Sequence, residues 1–527
     1  MSSRLSRFWP LVVSTVAVGG LLVVSQPSSA DADSHSRGGD ALAKSLVRDV
    51  TIDGVMRHQR ALQRIADTYG NTRSDSSPGF IASVEYVGTK LRDAGFDVTL
   101  APFTYVGFEP EEEALNVDGA ALQVVAITFS PSTGAAGITA PLLAVPEDAT
   151  PGCEASDYAG LTPAGTIAVV RRGGCTFAEK ARIAQGVGVL AVVVANNVDG
   201  LPGGTLQLPQ NGTIPIGMVT RADGDTLLAD GGGATLVLDT TIEDRTSHNV
   251  IAQTRTGRTD NVVMAGAHLD GVPAGPGIND NGSGSSALLE TALRLGPRPR
   301  VGNAVRFAWW GAEELSLVGS TAWVNGLTAE QRLDIALYLN FDMIGSPNAG
   351  YFVYDGDNSD NVGAGPGPEG SAQIEQAFVR FQERTNRVPT RGSDFTGRSD
   401  YGPFIAAGIP SGGVGSGGDG IKTQEHVGLW GGQAGVPFDR CYHVACDTLA
   451  NLDQRALARN ADAMAWVVAT YGVSTRDVNG ERGRGERAAA RAASVAAMRA
   501  AAPARAIALA AETSGPHHED CGHQVAV

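Results

Sequence analysis

Three apolar runs in this chain each end in side chains that bind divalent metals. Val262 to Ala267 is followed by His268, Leu269 and Asp270; Val305 to Ala312 by Glu313 and Glu314; Ile335 to Phe341 by Asp342 and Met343. Such runs read as strands buried on both faces, and in an open α/β sheet ligands gather in the crevice beyond the carboxyl ends of the strands. A lone histidine is more often a structural hydrogen-bonding group, and a carboxylate after a strand is often a helix cap. Three such ends at one sheet edge point instead to a shared site. Asp280, in the segment GINDNGSG, and His443, in CYHVACD, complete the candidate set.

Two histidines and three carboxylates suit two borderline divalent ions that share one bridging carboxylate, and zinc is the first choice. An open coordination position separates a catalytic zinc from a closed structural one. No cysteine stands among the candidates; Cys441 and Cys446 flank His443 and read as a bridge holding that loop. The neighbouring acids Glu313 and Glu314 would be a liability at the end of a buried strand unless cations supply the missing positive charge.

The elements that must position these groups are α/β in character from Asn249 onward. Helices are expected over Ser283 to Leu295, Leu317 to Val324, Ile374 to Arg384 and Asp453 to Val467. Upstream, Phe80, Val84, Val87 and Leu91 recur at helical spacing, Gly95 suits a helix end, and Phe96, Val98 and Leu100 alternate as a strand. The expected fold class is α/β, with a mixed, largely parallel central sheet flanked by helices. Residues 31–118 and 244–473 form that discontinuous domain, interrupted by a strand-rich insert over 119–243. The insert is rich in glycine and in short β-branched runs, Thr166 to Val170, Leu190 to Ala195, Ile214 to Thr220 and Ala234 to Leu238.

The remaining regions bound the biology. Arg4 and Arg7, an apolar run from Leu11 to Val24, and Ser28-Ser29-Ala30 read as a signal peptide over 1–30, so a secreted, extracellular protein with no membrane association after cleavage is expected. In an oxidising compartment Cys153 with Cys175, and Cys441 with Cys446, could form separate bridges, leaving Cys521 odd in a His-rich end. The net charge of −16 argues against nucleic acid as a partner, because phosphate binding needs a basic face. The tail over 474–527, rich in Ala and Arg without an apolar face, reads as disordered or processed. Asn281 and Asn211 fit the glycosylation pattern, but a sugar at Asn281 would block the site beside Asp280. His426 is read as a surface residue without a role.

Two resemblances add to this reading. The segment from Gly165 to Asn197, with its Arg-Gly-Gly-Cys-Thr-Phe turn, resembles the protease-associated domain. GAHLD, GINDNGSG, FAWWGAEE, LNFDM, GRSDYGPF and CYHVACDT, in that order, resemble the secreted di-zinc aminopeptidases of the Streptomyces griseus type, over residues 50–110 and 246–472. The resemblance implies two zinc ions per chain, with Asp280 bridging them, His268 and Asp342 completing one site, and Glu314 and His443 the other. Asp270 would orient the His268 ring, Glu313 would act as general base, and Tyr442 would donate a hydrogen bond to the developing oxyanion. Glu313, Asp342 and the main-chain carbonyl of Arg398 would hold the substrate amine, and Met343 would line the first side-chain pocket. Large apolar amino-terminal residues are the family's usual preference, although the loop Gly412 to Ser416 offers no aromatic side chain. Some relatives use calcium, which nothing in this sequence supports. Peptides with a free amino terminus are the implied substrates, and a monomer is expected. The competing readings are a carboxypeptidase or dipeptidase on the same scaffold, and a receptor-like protein that has lost its metals.

Overall fold

The computed structural model describes residues 40–512, apart from 199, 202, 361–364 and 481, and beyond residue 500 only the backbone. The signal-peptide reading and Cys521 with its histidines lie outside the described residues. Among those residues no helix is long and apolar enough to cross a membrane.

After a first helical stretch over 40–49, the chain passes through helices α1 (Ile52–Thr68) and α2 (Pro78–Asp93), the latter capped by the Ser77 hydroxyl with Pro78 at its first position. Strand β1 (Asp97–Val117) then runs for 21 residues and pairs antiparallel, over nearly its whole length, with the equally long β6 (Gly233–Gln253). The register slips once, between Pro110 and Glu112, where proline cannot donate to the ladder. The insert hangs on this pair. Its core is β2 (Ile138–Ala144), β3 (Ile167–Arg171), β4 (Ala191–Ala195) and β5 (Ile216–Val219), consecutive parallel neighbours, with helix α3 (Phe177–Gly186) between β3 and β4. The expected boundary at 243/244 falls inside β6, because one continuous strand serves both the insert and the catalytic half.

In that half, β7 (Arg258–His268) lies at the centre. From β7 the chain passes through α4 (Gly282–Leu295) to β8 (Asn303–Trp310) on one side, then crosses to β9 (Ile335–Phe341) on the other; both pair parallel with β7. β8 borders β6 antiparallel, and β9 borders β10 (Ser411–Gly415), which follows α5 (Ser371–Phe381). The sheet is mixed and largely parallel, as expected. The strand order reverses at the carboxyl end of β7, where a crevice must open. Every residue of β9 is buried, and all of β8 except Arg306.

Helices α1, α4 and α6 (Gln454–Val473) cover one face with Val263, Phe307, Trp309 and Leu339. On the other face Trp310, Tyr338, Phe404 and Tyr401 pack together, Tyr338 stacking on Phe404 at 3.8 Å between ring centroids. These layers make the strand ends a rigid platform.

The tail departs from expectation in its described part. Residues Arg484–Glu512 form helix α7, and the side chains of its first turns dock on the amino-terminal edge of the sheet. Arg487 donates to the Asn261 side chain at 3.0 Å and the Asp260 carbonyl at 2.6 Å, while Arg491 donates to the carbonyls of Arg332 and Ile335. The helix needs no apolar stripe, because the buried Arg487 and the half-buried Arg491 supply donors to acceptors at strand and helix ends.

Candidate metal centre

The three strand ends converge as the apolar runs suggested. Nε2 of His268, at the end of β7, lies 3.2 Å from Asp280 Oδ1, 3.2 Å from Asp342 Oδ1 and 3.8 Å from Glu313 Oε2. Nε2 of His443 lies 3.2 Å from Asp280 Oδ2 and 3.0 Å from Glu314 Oε2. Asp280 therefore turns one oxygen to each histidine. Two sets of donor atoms, His268 with Glu313 and Asp342 and His268 with Asp280 and Glu314, are each compact enough to hold an ion, and His443 adjoins the second through Asp280 and Glu314.

Local chemistry explains the placement. Gly311 passes so close to its surroundings that an added Cβ would lie 2.7 Å from the Phe80 ring and 3.1 Å from the His248 carbonyl, so glycine is required there. Ala312 follows with φ 52°, turning the chain so that Glu313 and Glu314 can point to different tasks. Asn281 caps α4 by accepting from the Gly284 N–H at 2.9 Å, and its amide donates to the Phe341 carbonyl at 2.9 Å, which ties the Asp280 loop to the end of β9. That burial also excludes Asn281 as a sugar acceptor. Both expected bridges form, Cys153 with Cys175 and Cys441 with Cys446; the second closes the loop that carries Tyr442 and His443.

Asp270 faces the His268 ring with both its carboxylate and its main chain. The Asp270 carboxylate lies 3.7 Å from His268 Nδ1, whereas the main-chain carbonyl of Asp270 lies 3.1 Å away and takes that ring hydrogen. The carbonyl fixes the tautomer, leaving Nε2 free to ligate. The Asp270 carboxylate also accepts the backbone N–H groups of Glu313 at 3.2 Å and Glu314 at 3.3 Å. A side chain from β7 thus pins the turn after β8.

The electrostatics show a site short of positive charge. Burial raises Glu313 well above its ordinary range, with Asp342, Asp400 and Glu314 adding to it against the pull of His268. Burial lifts Glu314 to about 7, with Asp280 adding. For His268 burial alone would lower the pKa, but Glu313 and Asp342 prevail and raise it well above normal. For Asp280 burial is outweighed by the two histidines, and its pKa falls. Oxygen Oε1 of Glu314 is buried without a hydrogen-bond partner. An orphaned carboxylate oxygen within a converging set of nitrogen and oxygen donors is what zinc would satisfy, so the residues present fit that ion.

Residues beyond the sequence reading support the set. The Ser399 hydroxyl donates to Asp342 Oδ2 at 2.6 Å and accepts from Asn340 at 2.8 Å. Asp447 accepts the N–H groups of Asn279 and Asp280 at 2.8 and 2.9 Å. Asp400 is fully buried and raised to about 8, chiefly by burial. Ser399, Asp400 and Asp447 stand inside the quoted motifs, so position in a motif could have flagged them. Arg73, in a polar loop before α2, gave no signal.

Tyr442 stacks on the His443 ring at 3.8 Å between centroids, and its oxygen accepts from the Arg398 guanidinium at 3.2 Å. Arg398 also reaches Asp419 at 3.4 Å. Met343, at φ 48°, has its sulfur 3.2 Å from where a Cβ on Gly418 would stand, with the Tyr442 ring 3.7 Å from the same point. His426 does not stand alone at the surface; it stacks on Trp430, 5.1 Å between centroids, beside Phe352 and Phe438.

Residues 249–468 match the model of peptidase family M28, and residues 138–227 that of the PA domain. A probable lipoprotein aminopeptidase of Mycobacterium tuberculosis is 43% identical over 495 residues, spanning 91% of this chain and 96% of the relative. A probable leucine aminopeptidase of Aspergillus fumigatus is 44% identical over 399 residues, 74% of this chain and 77% of the relative. The crystal structure of a zinc aminopeptidase from Bacillus subtilis superposes with a TM-score of 0.61 at 25% identity, covering 82% of this chain and 97% of that one.

Proposed function

The chain belongs to peptidase family M28 and carries an inserted PA domain, and from that premise we propose that it is an exported zinc aminopeptidase. It removes amino-terminal residues from peptides, apolar ones preferentially, with two zinc ions per chain. The observation that carries the reading is the meeting of His268, Asp280, Glu314, Asp342 and His443 at the switch point, with Glu313 beside them.

Asp280 would be shared between the two ions, with His268 and Asp342 holding one and Glu314 and His443 the other. Zinc bound there supplies Lewis acidity toward a water molecule and the scissile carbonyl. Glu313 is the residue that moves the proton. Held in a dry, acid-rich corner, its carboxylate takes a proton from the attacking water and passes it to the leaving amine. Glu313 and Asp342 present negative charge to a substrate ammonium, which selects a free amino terminus. Tyr442 accepts from Arg398, so its own O–H remains free to donate to the oxygen of the carbonyl as charge develops. Met343 and Tyr442 stand together beside Gly418 and would line the pocket for the first side chain, in keeping with the name leucine aminopeptidase carried by the Aspergillus relative. The two disulfides suit an oxidising compartment.

A carboxypeptidase would need a cation free to grip a substrate carboxylate. Arg398, the basic side chain at the motifs, is already engaged by Tyr442 and Asp419. A receptor without metals would not keep every donor and the base together. Cleavage of one peptide sequence in free-amine, amino-acetylated and carboxyl-amidated forms decides among these. The aminopeptidase reading expects acetylation to abolish cleavage and amidation to leave it unchanged; the reverse pattern would establish a carboxypeptidase.

A further inference from the structure

Arg73 lies behind the metal centre, fully buried, and takes no part in the chemistry proposed above. Its guanidinium donates to the carbonyls of Leu269 and Gly277, and through Nε to that of Pro276 at 2.8 Å. Leu269 follows His268 directly, and Gly277 opens the loop that carries Asp280. The grip is returned: the Gly271 N–H donates to the Arg73 carbonyl at 3.3 Å, and the Thr72 hydroxyl donates to the Val272 carbonyl at 3.1 Å. From the opposite side Asp447 accepts the N–H groups of Asn279 and Asp280. The segment between the two proposed ligands is thus held at both ends.

Desolvation of this cation is costly, and burial pulls Arg73 down to about 10 against the carboxylates of Asp447, Asp270, Asp280 and Glu314. The hydrogen bonds recorded for the guanidinium all go to main-chain carbonyls. A planar fork whose donors are fixed relative to one another spans three acceptors; a lysine ammonium, donating from one point, cannot reach them together.

We propose that Arg73 is a positioning residue for metal binding, clamping the main chain on both sides of the His268–Asp280 loop so that these ligands keep the spacing an ion requires. The inference rests on the zinc reading above. Two effects oppose one another when Arg73 is replaced. Loss of a positive charge favours a bound cation, whereas loss of the clamp spreads the ligands. The proposal holds that the clamp dominates.

The test is zinc affinity of metal-stripped protein by competition with a colorimetric chelator, for wild type, Arg73→Lys, Arg73→Met and Asp447→Asn, with circular dichroism to verify folding. Arg487→Met, far from the site, controls for general destabilisation. Both Arg73 variants are expected to bind zinc at least about tenfold more weakly, the range for groups that orient ligands. Arg487→Met should lower the melting temperature while leaving affinity near wild type. Wild-type affinity in Arg73→Lys, or tighter binding in Arg73→Met, overturns the proposal, since charge alone would then explain the residue. Should Arg73→Met fail to fold, Arg73→Lys and Asp447→Asn decide, and unchanged affinity in both overturns it. A wild-type protein that binds no zinc overturns the reading of the site and this proposal with it.

Discussion

Two parts of one sheet end their parallel strands in opposite ways. In the insert, β3, β4 and β5 are as buried as β7 and β9, yet the charge at the end of β3 is satisfied: Arg171 pairs with Glu147 and with Asp225. At the ends of β7, β8 and β9 the carboxylates of Asp280, Glu313, Glu314 and Asp342 face two histidines and one another, and Glu314 keeps an orphaned oxygen. Similar strands therefore serve different ends. Where the protein balances its own charge the strand end is structural, and where it leaves a deficit an ion is implied.

The largest effect that sharpens this contrast is Glu313→Gln. Turnover of a leucyl-anilide should fall by about a hundredfold to ten-thousandfold while zinc content is retained, because proton transfer is lost and the ligands are not. A near-native rate would remove Glu313 as the base. The two disulfides give a paired comparison of the next size. Replacing Cys441 and Cys446 by serine frees the loop of Tyr442 and His443, so kcat/KM should fall by about tenfold or more. Replacing Cys153 and Cys175, a bridge spanning 22 residues, should leave kcat unchanged and lower the stability of the insert by about 3 kcal/mol in denaturant titration. Equal loss of activity from both pairs would break the distinction between the regions.

The smaller effects fall in the insert. Lys180 is buried, donates to the Pro151 carbonyl, and is pushed down to about 8 by desolvation. Its folded pKa lies below the unfolded value of about 10.4, so between these the unfolded chain binds the extra proton. Stability should therefore rise from about pH 8 to pH 10 in wild type relative to Lys180→Met; melting curves with the same pH slope for both would refute this. Arg171→Ala, which breaks pairs with half-exposed partners, should cost no more than about 1 kcal/mol and leave catalysis untouched.

Much of the centre was legible because buried strands announce themselves as unbroken apolar runs and the residue after each run is at the crevice. The helix after β7 was legible for a related reason: Asn281 is a good cap, and Ala287, Leu288, Leu289, Ala292 and Leu295 give the segment an apolar face at helical spacing. What stayed hidden depends on long-range geometry. The family resemblance implied Asp270 as a partner of the His268 ring; only the fold shows its carboxylate also reaching the Glu313 and Glu314 amides after the next strand. Arg73 has no local pattern, since its acceptors are carbonyls some two hundred positions away. The tail helix left little to read, because it is held by Arg487 on the Asn261 side chain and by Arg491 on main-chain carbonyls and not by an apolar stripe.

Metal content tests the account most directly. After stripping with chelator, titration with zinc and exhaustive dialysis, atomic emission should find two zinc ions per wild-type chain, with activity restored in step, and fewer than two in Glu314→Ala. A wild-type chain that retains no stoichiometric zinc, or that cleaves peptides equally well without it, would contradict the reading of the carboxylate deficit as an ion site.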